Sequence, residues 1–166
     1  KAFPILNVDL KMTREDALQK SIELSNIFNL GPSNPSQAAI FKVDEEAQNF
    51  IELDQGGSDK LIEILNNQYY HPYTWKVRNY KPENVNEVTF IYTPSGIPYG
   101  FVEKISEELF IKSLNQSEAL RLAESYAVDN WNVNLNQYQI IEQKEDKKHS
   151  DRVDHTFVYK RNDVSL

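Results

Sequence analysis

The chain has no cysteine, and only one methionine and five glycines in 166 residues. Without cysteine there is no disulfide, thiolate metal site or cysteine nucleophile, and the compartment stays open because exported domains also lack it. No apolar run approaches the ~20 residues that a membrane-crossing helix needs, so the segment reads as soluble. Basic residues are outnumbered, 18 against 25 acidic, for a net charge of −7. That balance argues against a nucleic-acid partner, whose phosphates call for a clustered basic face. Gly56-Gly57 is too sparse for a phosphate loop, and no HExxH helix or EF-hand loop occurs. Ser95 and Ser106 lack the G-x-S-x-G setting of an activated nucleophile. Acidic residues are plentiful, but nothing singles out a catalytic pair. There is neither an initiator methionine nor a signal-peptide pattern, so we expect an excised piece of a longer protein.

What is present is a core-forming composition, 40% hydrophobic and 11% aromatic, in the size range of one domain or two small fused halves. Tyr73–Ile105 is its organising stretch. Tyr73, Trp75 and Val77 alternate with Thr74, Lys76 and Arg78, and Val88, Phe90 and Tyr92 alternate with Thr89, Ile91 and Thr93. Turn signals at Lys81–Asn84 and Pro94–Gly96 separate three such runs, which predicts an antiparallel meander.

Ahead of it, Phe3–Leu10 reads as an entry strand or an extended lead-in. Thr13 is placed to cap a helix over Arg14–Asn29, with Glu15 and Asp16 in its first turn and Gly31-Pro32 as its breaker. Its expected apolar stripe is Ala17, Leu18, Ile22, Leu24, Ile27 and Phe28. Gln37–Val43 has strand character, Asp44–Leu53 fits a short helix or a strand, and Ser58 is placed to cap a helix ending near Asn67. After the meander, Ser106–Leu114 is a connector. Asn115 caps a helix over Gln116–Asn130, with Leu122 among its inward residues. Tyr138–Gln143 and Val153–Arg161 form a last hairpin with a charged, solvated tip at Glu142–Arg152.

Two local matches recur in the same order. Met12–Leu18 resembles Leu114–Leu120, and Thr89–Tyr92 resembles Thr156–Tyr159. The longer spacing in the first copy marks Asn34–Asn67 as an insertion. Two helix-plus-hairpin repeats, residues 1–110 and 111–166, would then lie side by side in one compact unit with a continuous sheet. The expected class is α+β, an antiparallel sheet covered by helices, similar to cystatin-like or PepSY-like repeats.

His149, Asp151, Asp154 and His155 form the one local cluster of metal-capable side chains, interrupted by an expected turn. Along a strand Asp154 and His155 point to opposite faces, so a structural role is favoured over a metal site and no cofactor is expected. Arg152, Asp154 and His155 fit a hydrogen-bond anchor for the hairpin. Arg78 and Glu87, on neighbouring strands, fit a cross-strand ion pair. The aromatics Tyr69, Tyr70, Tyr73, Trp75, Tyr80, Tyr92, Tyr99 and Phe101 are expected mainly in the core, with an exposed sheet face or edge for a peptide strand as the other reading. A small metal-dependent hydrolase using Asp151, Asp154 and His155, and a peptide-binding or inhibitor module, are the alternative functions.

Tyr73–Arg78, Glu87–Phe90, Thr93–Gly96, Gly100-Phe101 and Arg152–Tyr159, with Gln37–Phe41 and Glu52–Gly57, carry a resemblance. They resemble the N-terminal soluble region of bacterial membrane proteins with a CPBP-type (CAAX-processing or abortive-infection) intramembrane metalloprotease domain downstream. The protease's paired glutamates and transmembrane histidines have no counterpart here, so no catalytic residue carries over. The resemblance implies a non-catalytic accessory domain on the extracytoplasmic side of the membrane. Its partners would be the downstream membrane domain and a peptide or protein substrate. Trp75, Arg78, Glu87, Arg152, Asp154 and His155 are the candidate binding or structural residues.

Overall fold

Thr13 opens the first helix through a reciprocal capping box. The Asp16 N–H donates to Thr13 Oγ1 (3.1 Å) and the Thr13 N–H to Asp16 Oδ2 (3.0 Å), which satisfies two otherwise orphaned amides. Helix α1 (Arg14–Phe28) stops at Asn29, a left-handed cap at φ 53°. The structure, a computed structural model, describes residues 10–54, 57–67, 69–108, 112–148 and 152–163. After α1 come β1 (Ser36–Val43), α2 (Glu45–Asp54), α3 (Gly57–Asn66), β2 (Tyr73–Tyr80), β3 (Glu87–Tyr92) and β4 (Pro98–Lys104). Then follow α4 (Gln116–Trp131), a 3₁₀ turn at Leu135–Gln137, β5 (Tyr138–Lys147) and β6 (Val153–Arg161). The class is α+β, and the chain divides into two compact units, Lys1–Ile105 and Ser106–Leu166.

In the first unit β1-β2-β3-β4 form an antiparallel sheet in sequence order. Alternation sends Trp75, Val77, Val88, Phe90 and Tyr92 to one face, where they meet Met12 and Ala17 in the main core. Helix α1 covers this face with Ala17, Ser21 and Ser25 buried, four residues apart, and with Leu18 and Leu24 of the expected stripe half-buried against the same core. Ile27 of that stripe is exposed. The two serines, which the expected stripe left out, face β2, where Asn79 occupies a core-facing slot and demands hydrogen-bonding partners from the helix. Helices α2 and α3 pack on each other around Ile51, Leu61 and Ile64, joined by Leu65, Tyr69 and Tyr70. Asp44, which caps α2 at the Ala47 N–H (3.1 Å), decides the helix-or-strand ambiguity of that stretch in favour of helix. Helix α3 begins at Gly57, so Ser58 falls inside its first turn.

One core group has no partner. The Tyr92 hydroxyl is buried without a hydrogen bond, and burial pushes its pKa up. Because an unpaired buried hydroxyl carries an unrecovered desolvation cost, Tyr92→Phe is expected to raise stability by about 1 kcal/mol. A urea-denaturation midpoint below that of the parent would contradict this.

In the second unit α4 repeats the cap of α1. Asn115 and Glu118 exchange the same two bonds (2.9 and 3.2 Å), and Asn132 closes the helix at φ 52°. The Tyr159 hydroxyl of β6 donates to Glu124 of α4 (2.7 Å). No described side chain of this unit is fully buried, and Leu122, expected inside, is exposed.

The duplicated helix starts thus share their capping geometry, but the strands do not form a continuous sheet: β5 and β6 pair as a separate two-stranded ribbon. The expected insertion is also not an appendage, since β1 within it is the edge strand of the four-stranded sheet. The charged hairpin tip is mostly strand. The ladder runs on through Glu145↔His155 and Lys147↔Val153, because exposed side chains of mixed sign burden a two-sided ribbon little. The expected boundary near residue 110 lies outside the described residues; the chain divides after Ile105.

Candidate functional site

Helix α1 covers one face of the four-stranded sheet, and the strand residues pointing the other way define the candidate site. Register places Ile40, Lys76, Ile91 and Gly100 in one row across it, and Ala38, Arg78, Thr89 and Val102 in the next. Lys42 stands opposite Thr74, and Glu87 opposite Lys104. Ile40 and Val102 are exposed. In a chain of net charge −7, this face of the strands carries Lys42, Lys76, Arg78 and Lys104 against Glu87 alone.

Glu87 is clasped from both sides. Arg78 Nε donates to Glu87 Oε2 (2.7 Å), a second Arg78 nitrogen bonds the same oxygen, and Lys104 Nζ lies 2.8 Å from Oε1. The Arg78 guanidinium also stacks 4.6 Å above the Tyr80 ring. Lys104 first and Arg78 second hold the Glu87 carboxyl below the usual glutamate range. A depressed carboxyl pKa contributes stability above the unfolded-state value and loses it as pH falls through the folded-state value. Glu87→Gln is therefore expected to be less stable than the parent at neutral pH. The gap should close as pH falls below the ordinary glutamate pKa. A pH-independent gap in urea midpoint would refute the charge clamp.

Farther along the face, a groove of about 710 Å³ runs over the ends of β1 and β2 to Ile91 and Tyr99. Its far wall is the Tyr70–Pro72 loop, held by the Asp44 N–H donating to Pro72 O (2.8 Å). The Tyr70 hydroxyl donates to Asp44 Oδ2 (2.6 Å), and the His71 ring meets the Tyr99 ring edge-on at 5.1 Å. Burial first, then Asp44, pushes Tyr70 up, and the Tyr70 hydroxyl followed by the Ala47 N–H holds Asp44 down. Burial lowers His71, which favours the neutral imidazole. Both Asp44 oxygens thus accept hydrogen bonds, and Lys42 and Lys76 in the same groove, which make no hydrogen bond or ion pair among the described residues, act on its carboxylate through space and help to hold it down. Glu45 and Glu46 form an acidic rim at the α2 end.

The residues expected from sequence fall in three places. Arg78 and Glu87 form the ion pair anticipated for them, on the open face. Trp75 lies on the opposite face, its Nε1 donating to Met12 O (3.2 Å) and its ring 5.2 Å from Phe41, so it anchors the core and does not reach the groove. Arg152, Asp154 and His155 belong to the second unit. The Arg152 Nε lies 3.0 Å from Asp154 Oδ1. His155 Nε2 donates to Leu114 O (3.0 Å), and the Val153 N–H to Ser113 Oγ (3.0 Å). Together they tie the connector to the hairpin. His155 Nδ1, buried without a hydrogen bond, faces Glu145 at 3.5 Å. His149 and Asp151 lie outside the described residues. Among the described residues no three metal-capable side chains converge, and no helix is long and apolar enough to cross a membrane.

Lys42, Tyr70, His71, Lys76 and Tyr99 were not read from sequence as one site. A partial signal existed: Lys76 and Arg78 alternate out of phase with Trp75 and Val77. Within the first unit, α1 covers one face of the sheet, and the groove with its mixed charges lies on the other. No protein family, curated protein or solved structure matches the chain.

Proposed function

We propose that this chain is a non-catalytic interaction domain that holds a polypeptide segment against the open face of its four-stranded sheet. The groove carries this reading. It is concave, walled by Tyr70, His71 and Tyr99, and lined by Lys42 and Lys76 beside the Asp44 carboxylate, which is the mixture of apolar wall and few polar groups that binding sites use. The nearest titratable groups are committed elsewhere: Asp44 to Tyr70 and Ala47, Glu87 to Arg78 and Lys104. The hydrolase reading is weaker, since Asp154 is engaged by Arg152 and His155 by Leu114.

The test is amide-resolved NMR of the full chain titrated with a panel of extended peptides, each mixture then checked for cleavage. Shifts centred on Lys42, Tyr70, His71, Lys76 and Tyr99 with the peptides intact are expected. Cleavage, or shifts confined to the second unit, would overturn the reading.

The setting we propose follows the sequence resemblance: an extracytoplasmic accessory domain presenting substrate to a membrane-embedded protease on the same chain. It requires apolar spans with paired glutamates and histidines encoded beyond Leu166, and a product that fractionates with membranes. A stop codon or a soluble downstream domain would discard it.

A further inference from the structure

We propose that the free edge of β1 pairs with β1 of a second copy of this chain, joining two four-stranded sheets into one. This surface is distinct from the groove of the interaction reading above. The Asp44 N–H donates to Pro72 O (2.8 Å), which continues the β1–β2 ladder by one residue. Bonded positions alternate in an antiparallel pair, so Ser36, Ala38, Ile40 and Lys42 direct their backbone groups at β2. Gln37, Ala39, Phe41 and Val43 direct theirs away from the sheet, of which β1 is an edge. Among the described residues nothing bonds those outward N–H and C=O groups. The opposite edge is guarded: β4 begins at Pro98, carries Gly100 and shifts register with β3 between Ile91 and Tyr92. β1 has none of these devices. Its eight residues pair with β2 without a break, hold no proline or glycine, and carry Lys42 as their one charge. A regular edge of that kind is a template for another strand.

The sequence of β1 selects a second copy as the occupant, because the strand is complementary to itself. A twofold axis through Ile40 sets Gln37 opposite the partner's Val43, and Ala39 opposite the partner's Phe41. Every outward N–H and C=O of both edges is then bonded. On the core side the large Phe41 meets the partner's small Ala39. On the open side Ile40, 58% exposed, meets the partner's Ile40 and leaves water. Lys42 meets the partner's Ala38, so the two cations never face each other. Neighbouring registers fit less well. Moving the axis one residue sets Val43 opposite the partner's Pro35, which has no N–H, or Gln37 opposite the partner's Glu45, which belongs to α2. Pairing through Ile40 also brings the partner's Ala38 beside Lys42, at the rim of each groove.

The experiment is sedimentation velocity of the full chain across a concentration series, with amide hydrogen exchange at its two ends. One strand edge makes a small interface, so a dimer with a Kd of about 1–100 μM is expected. The amides of Gln37, Ala39, Phe41 and Val43 should gain protection as the dimer forms, while those of Ala38, Ile40 and Lys42 are protected throughout. Ala38 and Ile40 are both exposed, so changing them leaves the core intact. Ala38→Lys faces the partner's Lys42 twice across the axis and should weaken the dimer by about tenfold; Ala38→Glu should strengthen it by about threefold or more. Ile40→Asp, which sets two carboxylates on the axis, should abolish it. A chain that stays monomeric to about ten times the upper Kd would overturn the pairing. A dimer indifferent to the sign of the charge at residue 38 would overturn it in favour of another surface. Outward amides already protected in the monomer would overturn it in favour of a cap within the chain. A monomer whose outward amides gain protection only from added extended peptides would overturn it in favour of a foreign strand. Groove-centred shifts test the interaction reading separately, so either can fail while the other stands.

Discussion

Replacing Asn79 with alanine is expected to cost about 2–3 kcal/mol, because it removes the hub of a buried network and takes from Ser25 Oγ the donor it accepts from. Asn79 is fully buried. Its Nδ2 donates to Ser25 Oγ (2.9 Å) and Ser21 O (3.2 Å), and its Oδ1 accepts from Gln37 Nε2 (3.0 Å). Ser21 Oγ stands 3.1 Å from Oδ1 and 2.8 Å from Leu18 O. With a single proton, that hydroxyl serves one of the two at a time. The network joins α1, β1 and β2. In the absence of Asn79, Ser25 and Gln37 each lose a bond, and Gln37 keeps Leu18 O (2.9 Å) and Ser21 Oγ (2.8 Å). A methyl group also leaves a void where the amide was. Urea denaturation at constant m-value is the measurement. Ser25→Ala should cost less, and the double variant less than the sum of both, since they share a bond. Strict additivity, or a loss below about 0.5 kcal/mol for Asn79→Ala, would mean the network contributes little.

This network bears on function through geometry. It fixes the covered face of the sheet, and the covered face sets the pleat that points Lys42, Lys76 and Arg78 the other way. Asn79→Ala should thus weaken peptide binding only as far as it unfolds the protein. A variant that stays folded yet loses the groove-centred shifts would show that the platform itself has moved.

Local features were legible in the sequence. Both helix caps follow from Thr13/Asp16 and Asn115/Glu118, and the meander follows from period-two alternation between Pro- and Gly-bearing turns. The α1 stripe was legible in part: Ala17, Leu18 and Leu24 pack toward the core, but Ile27 is exposed, and Ser21 and Ser25 are buried where an apolar pattern gives no sign of them. The polar interruption of the Trp75, Val77, Asn79 series was the sign that the facing helix had to supply hydroxyls. The hairpin tip misled because charge was equated with turn, and the exposed stretch of β5 at 142–147 tolerates charge while remaining strand. The groove was not legible. Its residues come from four stretches, 41–46, 70–76, 91 and 99, that only sheet register and the Asp44–Pro72 backbone bond bring together. Lys76 carries no local mark that separates it from any other solvated lysine.

Gly31→Ala is expected to cost about 2–4 kcal/mol, as the sum of a backbone and a steric penalty. Gly31 sits at φ +73°, two residues past the Asn29 cap, where the chain leaves α1 and turns back toward the sheet. An added Cβ would stand 2.6 Å from Val88 Cγ1 and 3.3 Å from Val88 Cβ. Val88 is fully buried, so it has no free space into which to retreat. The Gly31 N–H also donates to Glu103 Oε1 (2.7 Å), a bond to β4 that any retreat of the loop would stretch. Gly57 provides the control. It lies at φ +79° with nothing within 4 Å of an added Cβ, so Gly57→Ala carries the left-handed penalty of about 1 kcal/mol and no clash. The difference between the two variants in urea isolates the close approach of the loop to β3. If Gly31→Ala costs no more than Gly57→Ala, Val88 yields after all and the α1-to-β1 turn is not pressed against the sheet. If the difference reaches about 2 kcal/mol, that turn is a rigid hinge point, and the position of β1, with Lys42 at its end, is set from the core side of the sheet.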